Sequence, residues 1–214
     1  MLGFYNYGVI LTYLSLASSV LGILATLNGP HITLAIVCLM VSGFLDAFDG
    51  TVARTRKNAT DQEKSFGIQI DSLCDMVCFG VLPVCIGGAC GLRRPWQVAL
   101  LALFVLAALI RLAYYNVMEM EHKNVDEEGQ RFFRGLPVTS VAIILPIVYG
   151  IIMYCKLFQW TQIVLPLMFA CIGMGYVTRI KIKKPTIYGT IALIIFGAFV
   201  MAAILFFRFS ILKR

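Results

Sequence analysis

The chain has 214 residues, of which 60% are hydrophobic and 14% charged, and its formal net charge is +7. This composition, with a mean hydropathy of +0.86, excludes both a water-soluble globular protein and a disordered one. The basic residues stand at the ends of apolar runs rather than along one face, so we expect no nucleic-acid partner. The pattern instead indicates an integral membrane protein.

Seven apolar runs are long enough to cross a hydrocarbon core of about 30 Å as helices. The predicted spans are Tyr7–Leu27, Ile32–Arg54, Gly67–Cys90, Trp96–Val117, Leu136–Cys155, Phe158–Val177 and Ile187–Phe207. No basic residue precedes the first run and no cleavage pattern of small residues follows it, so we expect a retained span and not a signal peptide. The predicted fold is all-α, a polytopic membrane helix bundle that forms one domain over residues 1–214.

The loops differ in charge, and this difference predicts the orientation. The loops after the second, fourth and sixth spans carry eleven Lys and Arg residues, against six on the other side. Because basic loops stay in the cytoplasm, we expect these loops and the amino terminus there, and the carboxyl terminus outside. All loops are short except residues 55–66 and 118–135.

The cysteines and histidines contribute no candidate site. The seven cysteines lie inside apolar runs and show no Cys-x-x-Cys spacing, so we interpret them as small core residues, not as disulfide partners or zinc ligands. His31 and His122 fall in loops at opposite ends of spans, and we expect both at the surface.

Four of the eleven acidic residues lie within the apolar runs: Asp46, Asp49, Asp71 and Asp75. An ionised carboxylate in a membrane is costly unless it is paired or bound to a cation. Helical periodicity arranges these residues in two stripes. The first stripe consists of Asp46, Asp49, Gly50, Ala53 and Arg54, and the second of Gly67, Asp71 and Asp75. Because the second span runs toward the cytoplasm and the third away from it, we expect the stripes to meet near the cytoplasmic surface.

Crowded carboxylates repel one another, so at neutral pH they share protons or bind divalent cations. An all-oxygen set favours hard ions such as Mg²⁺, Mn²⁺ or Ca²⁺ over zinc. Gly50 and Ala53 lack bulk, which lets a ligand approach the backbone, and Arg54 suits phosphate. Taken singly, these residues are typical of helix packing or of a basic cytoplasmic loop, but packing does not require four aspartates on facing stripes. The set predicts phosphoryl transfer at a site for two metal ions.

The pattern Asp46-x-x-Asp49-Gly50-x-x-Ala53-Arg54, followed by Gly67-x-x-x-Asp71-x-x-x-Asp75, resembles the signature of the CDP-alcohol phosphotransferase family. The resemblance implies a six-helix core with the seventh span as an addition, and a homodimer. It also implies metal-dependent transfer of a phosphatidyl or related group from a CDP-linked donor to an alcohol, with release of CMP. Twelve residues separate Arg54 from Gly67, more than is usual, which leaves open whether Thr60, Lys64 or Ser65 contacts the donor phosphates.

The same resemblance implies a role for each site residue. The four aspartates hold Mg²⁺ or Mn²⁺, two ions in all, and Asp75 also takes the proton from the attacking hydroxyl group. The donor-binding residues are Gly50, Ala53, Arg54 and Gly67. We expect no His or Cys side chain beside the aspartates, so a covalent intermediate lacks a nucleophile and direct displacement is the simpler mechanism.

Three further segments resemble the branch of this family that transfers phosphatidyl from CDP-diacylglycerol to L-serine. These segments are residues 71–83, 111–117 and 135–137. Arg111 is the one basic residue well inside a predicted span, and it either pairs with a nearby aspartate or holds an acceptor carboxylate, with Asn116 one turn further on. A phosphorylated acceptor such as glycerol phosphate or inositol phosphate needs more basic residues, and we keep it as the second choice.

An ion transporter is the alternative from another class, because membrane-embedded aspartates also line ion pathways. The predicted aspartates lie near one surface rather than at the midplane, and the sequence shows no inverted repeat. A stripe that combines Gly50, Ala53 and Arg54 also suits a nucleotide better than an ion. We therefore favour the transferase.

Overall fold

A computed structural model describes residues 9–29, 31–54, 60–120, 132–178 and 181–183. The helices are α1 (Ile10–Leu27), α2 (Ile32–Arg54), α3 (Asp61–Asp75), α4 (Leu82–Ala89), α5 (Pro95–Met120), α6 (Val141–Tyr154) and α7 (Thr161–Val177). A π-helical turn, Met76–Val81, joins α3 to α4, and short 3₁₀ turns, Val138–Ser140 and Phe158–Trp160, precede α6 and α7.

Five helical segments among the described residues are long and apolar enough to cross a membrane. They are Ile10–Leu27, Ile32–Asp49, Gln62–Ala89, Pro95–Glu119 and Phe158–Val177, and Val138–Tyr154 is a shorter apolar helix between the last two. The prediction of an all-α membrane bundle with a six-helix core is confirmed. The predicted seventh span, Ile187–Phe207, lies outside the described residues.

Two helices extend beyond the predicted spans. The third span begins at Asp61 and not at Gly67, and α5 continues to Met120. A capping box starts α3: the Thr60 hydroxyl accepts a hydrogen bond from the Glu63 amide (3.3 Å), and the Thr60 amide donates to the Glu63 carboxylate (2.9 Å). The prediction of a loop over residues 61–66 is therefore wrong, because the capping box starts the helix six residues before the apolar run at Gly67.

Hydroxyl side chains join α1 to α2 across an otherwise apolar interface. The Ser15 hydroxyl donates to the Ser42 carbonyl (3.2 Å), and the Ser42 hydroxyl donates to the Ser15 carbonyl (2.9 Å). Ser18 donates to the Cys38 carbonyl (3.1 Å), and the Ser19 and Ser42 hydroxyls lie 2.8 Å apart. Small side chains let two membrane helices approach, and hydrogen bonds between them fix their register. We call this set the serine ladder; it joins residues 15–19 of α1 to residues 38–42 of α2.

The π-helical turn begins one residue after Asp75. Leu82 donates its amide hydrogen to the carbonyl of Val77, five residues earlier, and Phe79 inside the turn is fully buried. Pro83 has no amide hydrogen, and its ring crowds the preceding turn of a regular helix. A widened turn before Pro83 accommodates that ring, and such turns are common at functional sites.

Aromatic side chains join α5 to α7 in the core. Phe104 packs edge-on against Phe169 with ring centroids 5.0 Å apart, and lies 5.6 Å from the ring of Tyr176. The Tyr176 hydroxyl donates to the carbonyl of Val138 (2.9 Å), just before α6. These contacts join α5 to α7 and the end of α7 to the turn before α6.

A short antiparallel ribbon, which the sequence analysis did not predict, connects the segment before α6 to the segment after α7. Strand β1 (Phe132–Arg134) pairs with β2 (Lys181–Lys183) in the register Phe133↔Ile182. Gly135 follows β1 with a φ of 85°, and the next amide, that of Leu136, donates to the Gly175 carbonyl (3.0 Å). The chain thus turns directly from the ribbon onto the end of α7.

We predict that Gly135→Ala destabilises the protein. The added Cβ would lie 2.9 Å from the Tyr176 carbonyl oxygen, at a positive φ that an L side chain rarely adopts. The expected loss is about 1–3 kcal/mol, measured as a lower melting temperature of the purified protein in detergent. Gly88→Ala is the matched control, because a Cβ at Gly88 meets no atom within 4 Å. Equal melting temperatures for the two variants would contradict the prediction.

Candidate active site

The membrane-crossing segments alternate in direction, which brings one end of each to the same side of the bundle. The start of α1, the end of α2, the start of α3 and the ends of α5 and α7 meet there. All four aspartates of the two predicted stripes lie on this side. The site is therefore assembled from helix ends that are far apart in sequence.

Three carboxyl groups form the centre of the site, which we call the carboxylate cluster. Asp46, Asp49 and Asp71 each place one carboxylate oxygen within 4.8 Å of the others. Asp49 is 7% exposed, and the other two are half-buried. Atom Oδ1 of Asp71 is buried and has no hydrogen-bond partner among the described residues. An unpartnered carboxylate oxygen beside two other carboxylates fits the ligand set of a hard divalent cation.

Asp75 occupies a different position from the other three aspartates. It lies one helical turn beyond Asp71 and within hydrogen-bonding reach of the Asp46 carboxyl group. It is not part of the carboxylate cluster. The structure thus brings the four predicted residues together but sets Asp75 to one side, next to Asp46.

Of the four donor-binding residues predicted from the sequence, the structure describes the surroundings of Gly67. Gly67 stands one turn before Asp71, and a Cβ built on it would meet nothing within 4 Å. This open space lets a ligand approach the α3 backbone. Gly50, Ala53 and Arg54 belong to the last turns of α2, and the placement of their side chains lies outside the described part of the structure.

The three residues left open as contacts of the donor phosphates are all at the start of α3. Thr60 uses its hydroxyl group in the capping box, where it accepts from the Glu63 amide and donates to the Glu63 carboxylate at 3.1 Å. Lys64 and Ser65 are exposed in the first turns of the helix. Thr60 therefore has a structural function, and the other two are the accessible candidates.

Arg111 reaches the aspartates from α5. Its side chain is only 8% exposed, and its guanidinium carbon lies 5.5 Å from the centre of the Tyr115 ring. The negative charges of Asp75 and Asp46 act on it. Its Nε atom is buried and has no hydrogen-bond partner in the part of the chain that is described. Arg111 thus lies beside the aspartates with one buried donor still available.

Asn116 links two helices of the site. Its side-chain oxygen accepts a hydrogen bond from the hydroxyl group of Ser72 (2.7 Å), the residue after Asp71. This contact fixes the end of α5 against α3. The role of Asn116 in binding an acceptor, expected from the sequence, stays a prediction.

Two cysteines lie closer to the aspartates than we expected from the sequence. Cys74 is 3% exposed and lies close enough to Asp71 and Asp75 to interact with their charges. Cys78 is fully buried. The Cys78 sulfur lies 3.5 Å from the Ser15 hydroxyl, within the interface of α1 and α2. The expectation that no Cys side chain stands beside the aspartates is therefore wrong. Burial in helix interfaces keeps both thiols from a substrate, so direct displacement stays the simpler mechanism.

One polar neighbour of the carboxylate cluster was not predicted from the sequence. Thr12, on α1, is 4% exposed and donates a hydrogen bond from its hydroxyl group to Oδ2 of Asp49 (3.1 Å). The available signal was the repeat of hydroxyl residues along one face of an otherwise apolar helix, at Thr12, Ser15 and Ser19. That pattern marks a polar helix interface, but it does not reveal the partner.

Comparison with known proteins identifies related chains. The family model described as CDP-alcohol phosphatidyltransferase matches residues 5–172. The CDP-diacylglycerol–serine O-phosphatidyltransferase of Saccharomyces cerevisiae is 32% identical over 178 residues, which are 75% of this chain and 62% of that protein. The archaetidylserine synthase of Methanothermobacter thermautotrophicus is 30% identical over 141 residues, 65% of this chain and 56% of that protein.

A bacterial relative aligns over more of its own length. The CDP-diacylglycerol–serine O-phosphatidyltransferase of Bacillus subtilis is 26% identical over 176 residues, which are 80% of this chain and 87% of that protein. The chain spans less than two thirds of the yeast and archaeal proteins, at 62% and 56% of their lengths.

We predict that Asp71→Asn weakens the binding of Mn²⁺ while the protein still inserts and folds. The exchange removes one negative charge from the carboxylate cluster with little change in volume. The Mn²⁺ dissociation constant of the purified protein, followed by the electron paramagnetic resonance signal of free Mn²⁺, is expected to rise by about 10-fold or more. Glu119→Gln, which removes a carboxylate near the end of α5, is the control. Unchanged Mn²⁺ binding in Asp71→Asn would remove Asp71 from the metal site.

Proposed function

This chain belongs to the CDP-alcohol phosphatidyltransferase family, and from that premise we propose that it transfers the phosphatidyl group of CDP-diacylglycerol to L-serine. The products are phosphatidylserine and CMP. The observation that carries the proposal is the carboxylate cluster of Asp46, Asp49 and Asp71, with open space at Gly67 beside it. The names of the relatives, serine transferases from yeast and bacteria, support L-serine as the acceptor.

The carboxylate cluster is the proposed binding site for two divalent cations, Mg²⁺ or Mn²⁺. The unpartnered Oδ1 atom of Asp71 supports this assignment, because a bound cation would satisfy it. Divalent cations in such a site neutralise the pyrophosphate of the donor and stabilise the departing CMP. Asp75, next to Asp46, is proposed as a further and weaker metal contact.

The donor is proposed to lie across the ends of α2 and α3. Gly67 offers its open face to the pyrophosphate, and Gly50 and Ala53 are small enough for the nucleotide to approach α2. Arg54 contributes a guanidinium group that suits a phosphate oxygen pair. The diacylglycerol part of the donor then extends into the surrounding lipid.

Asp75 is the proposed general base. The serine hydroxyl oxygen forms a bond to the phosphatidyl phosphorus, the bond from that phosphorus to the bridging oxygen of CMP breaks, and the hydroxyl proton passes to the Asp75 carboxylate. The position of Asp75 outside the carboxylate cluster supports this role, because a carboxylate that is less engaged with metal keeps the ability to accept a proton. CMP leaves with the electron pair of the broken bond.

Arg111 is the proposed binding group for the carboxylate of L-serine. It is buried next to Asp75, so an acceptor held by Arg111 has its hydroxyl group near the base. The free Nε donor and the stacking on Tyr115 support a fixed guanidinium with capacity for one more anion. In the alternative role, Arg111 neutralises the charges of Asp75 and Asp46. Its removal would then change the KM values for both substrates equally.

A phosphorylated acceptor is the second candidate. Among the described residues, Arg111 is the one basic side chain well inside a span, and glycerol phosphate or inositol phosphate brings about two negative charges. This imbalance favours the single carboxylate of serine.

We further propose that the protein works as a homodimer and that residues 1–214 form one transmembrane domain. The active site is proposed to face the cytoplasm, on the side of the more basic loops.

The test of the acceptor measures CMP release from CDP-diacylglycerol by the purified protein with Mn²⁺ or Mg²⁺. L-Serine is expected to give the fastest release, and a no-acceptor reaction sets the background. Glycerol phosphate, inositol and inositol phosphate are tested in parallel. If one of these compounds gives faster CMP release than L-serine, that compound is the acceptor. The assignment to the transferase family would be unaffected. Failure of every acceptor to raise CMP release above the background would contradict the proposed transfer.

We predict that Arg111→Ala raises the KM for L-serine more than the KM for CDP-diacylglycerol. Loss of a charge-assisted hydrogen bond worth about 1.5–3 kcal/mol corresponds to about a 10- to 100-fold rise. Arg94→Ala, an exposed arginine in the loop at the other end of the bundle, is the control and should change neither value. Equal changes in both KM values would assign Arg111 to charge balance of the aspartates.

A further inference from the structure

We infer that Thr12 is a positioning residue of the metal site, which extends the active site to α1. The inference rests on the proposed function, because it requires a metal ion at the carboxylate cluster. The Thr12 hydroxyl donates to Oδ2 of Asp49 at 3.1 Å, and both side chains are buried, at 4% and 7% exposure. Neither of the two aspartate stripes contains a residue of α1.

The geometry gives this hydrogen bond a specific effect on Asp49. A carboxylate on a helix rotates about its last side-chain bond, and a donor that holds one oxygen fixes the plane in which the other oxygen lies. Groups that orient a ligand in this way raise metal affinity, because the ligand does not have to be ordered when the metal binds. Asp71 lies within hydrogen-bonding reach of Asp49, so a fixed Asp49 also fixes the spacing of the carboxylate cluster.

The serine ladder keeps Thr12 in place. Ser15 stands three residues after Thr12, on the same face of α1, and exchanges hydrogen bonds with Ser42 on α2. Asp49 lies about two turns beyond Ser42 on α2, so both partners of the Thr12 contact belong to the two helices that the ladder joins. The hydroxyl group is thus held by the fold and not by a mobile segment.

Thr12 differs from the ladder in what it binds. The hydroxyls of Ser15 and Ser18 donate to backbone carbonyl groups of α2, which any pair of packed helices offers. Thr12 donates to a carboxylate that belongs to the carboxylate cluster. If Thr12 had only a structural role, loss of its hydroxyl group would affect Mn²⁺ binding no more than loss of the Ser18 hydroxyl group. The two effects can be measured.

The experiment compares four variants with the wild type, and one of them, Asp49→Asn, tests the metal site itself. Thr12→Val keeps the branched shape and removes the donor, Thr12→Ser keeps the donor, and Ser18→Ala removes a hydrogen bond between the same helices away from the metal site. The readouts are the Mn²⁺ dissociation constant, from the electron paramagnetic resonance signal of free Mn²⁺, and the melting temperature without metal. The Mn²⁺ concentration for half-maximal CMP release is the third readout.

Thr12→Val is expected to raise the Mn²⁺ dissociation constant and the half-maximal Mn²⁺ concentration by about 10- to 100-fold. Thr12→Ser and Ser18→Ala are expected to keep the wild-type Mn²⁺ dissociation constant. A Thr12→Val protein that melts at a lower temperature but binds Mn²⁺ like the wild type would overturn the inference and leave the proposed function intact. If the wild type and Asp49→Asn bind Mn²⁺ equally weakly, the metal site itself fails, and the inference fails with it.

Discussion

The mutual repulsion of carboxylates inside a membrane protein is the constraint on which the rest of this structure depends. Three acidic side chains within 4.8 Å of one another, and a fourth beside them, are unfavourable where water is scarce. Each helix around them contributes to holding that arrangement. A threonine from α1, an arginine from α5 and the hydrogen bond between Ser72 and Asn116 all meet the aspartates or their immediate neighbours. The folded bundle keeps together groups that would separate if the helices were free.

The energy for this arrangement comes from helix contacts away from the acids. Within lipid, association between helices relies on close packing and on hydrogen bonds, because burial of apolar surface gives no advantage over lipid tails. The serine ladder supplies both between α1 and α2, and Phe104 with Phe169 and Tyr176 supplies packing between α5 and α7. These contacts hold the helices that carry Thr12, Asp49 and Arg111.

The parts of the fold that the sequence predicted well are those with a strong local signal. Apolar runs of membrane length predicted the helices, and the spacing of Asp46 and Asp49 and of Asp71 and Asp75 predicted which faces they share. The capping box at Thr60 and Glu63 is readable in the sequence, but the predicted span begins with the apolar run at Gly67, seven residues after Thr60. Its omission shortened α3 in the prediction.

Other features depend on contacts between distant residues, and a single sequence does not encode these locally. The partner of Thr12 is a residue 37 positions away, and the ribbon pairs strands that precede α6 and follow α7. The separation of Asp75 from the carboxylate cluster is also a tertiary feature, because the regular spacing alone predicts all four aspartates together. The π-helical turn after Asp75 accommodates the ring of Pro83. A proline in an apolar run predicts that the helix is distorted, but it does not predict which kind of turn forms.

The length of the shorter apolar helix, Val138–Tyr154, has a consequence for the membrane itself. Val138–Tyr154 contains 17 residues, which as a helix cover about 26 Å, less than the hydrocarbon thickness of about 30 Å. A bilayer meets such a mismatch by thinning locally. We therefore expect the bilayer to be thinner beside α6 than its mean hydrocarbon thickness. Bilayer thickness thus becomes a physical variable that is expected to influence how a lipid substrate meets this protein.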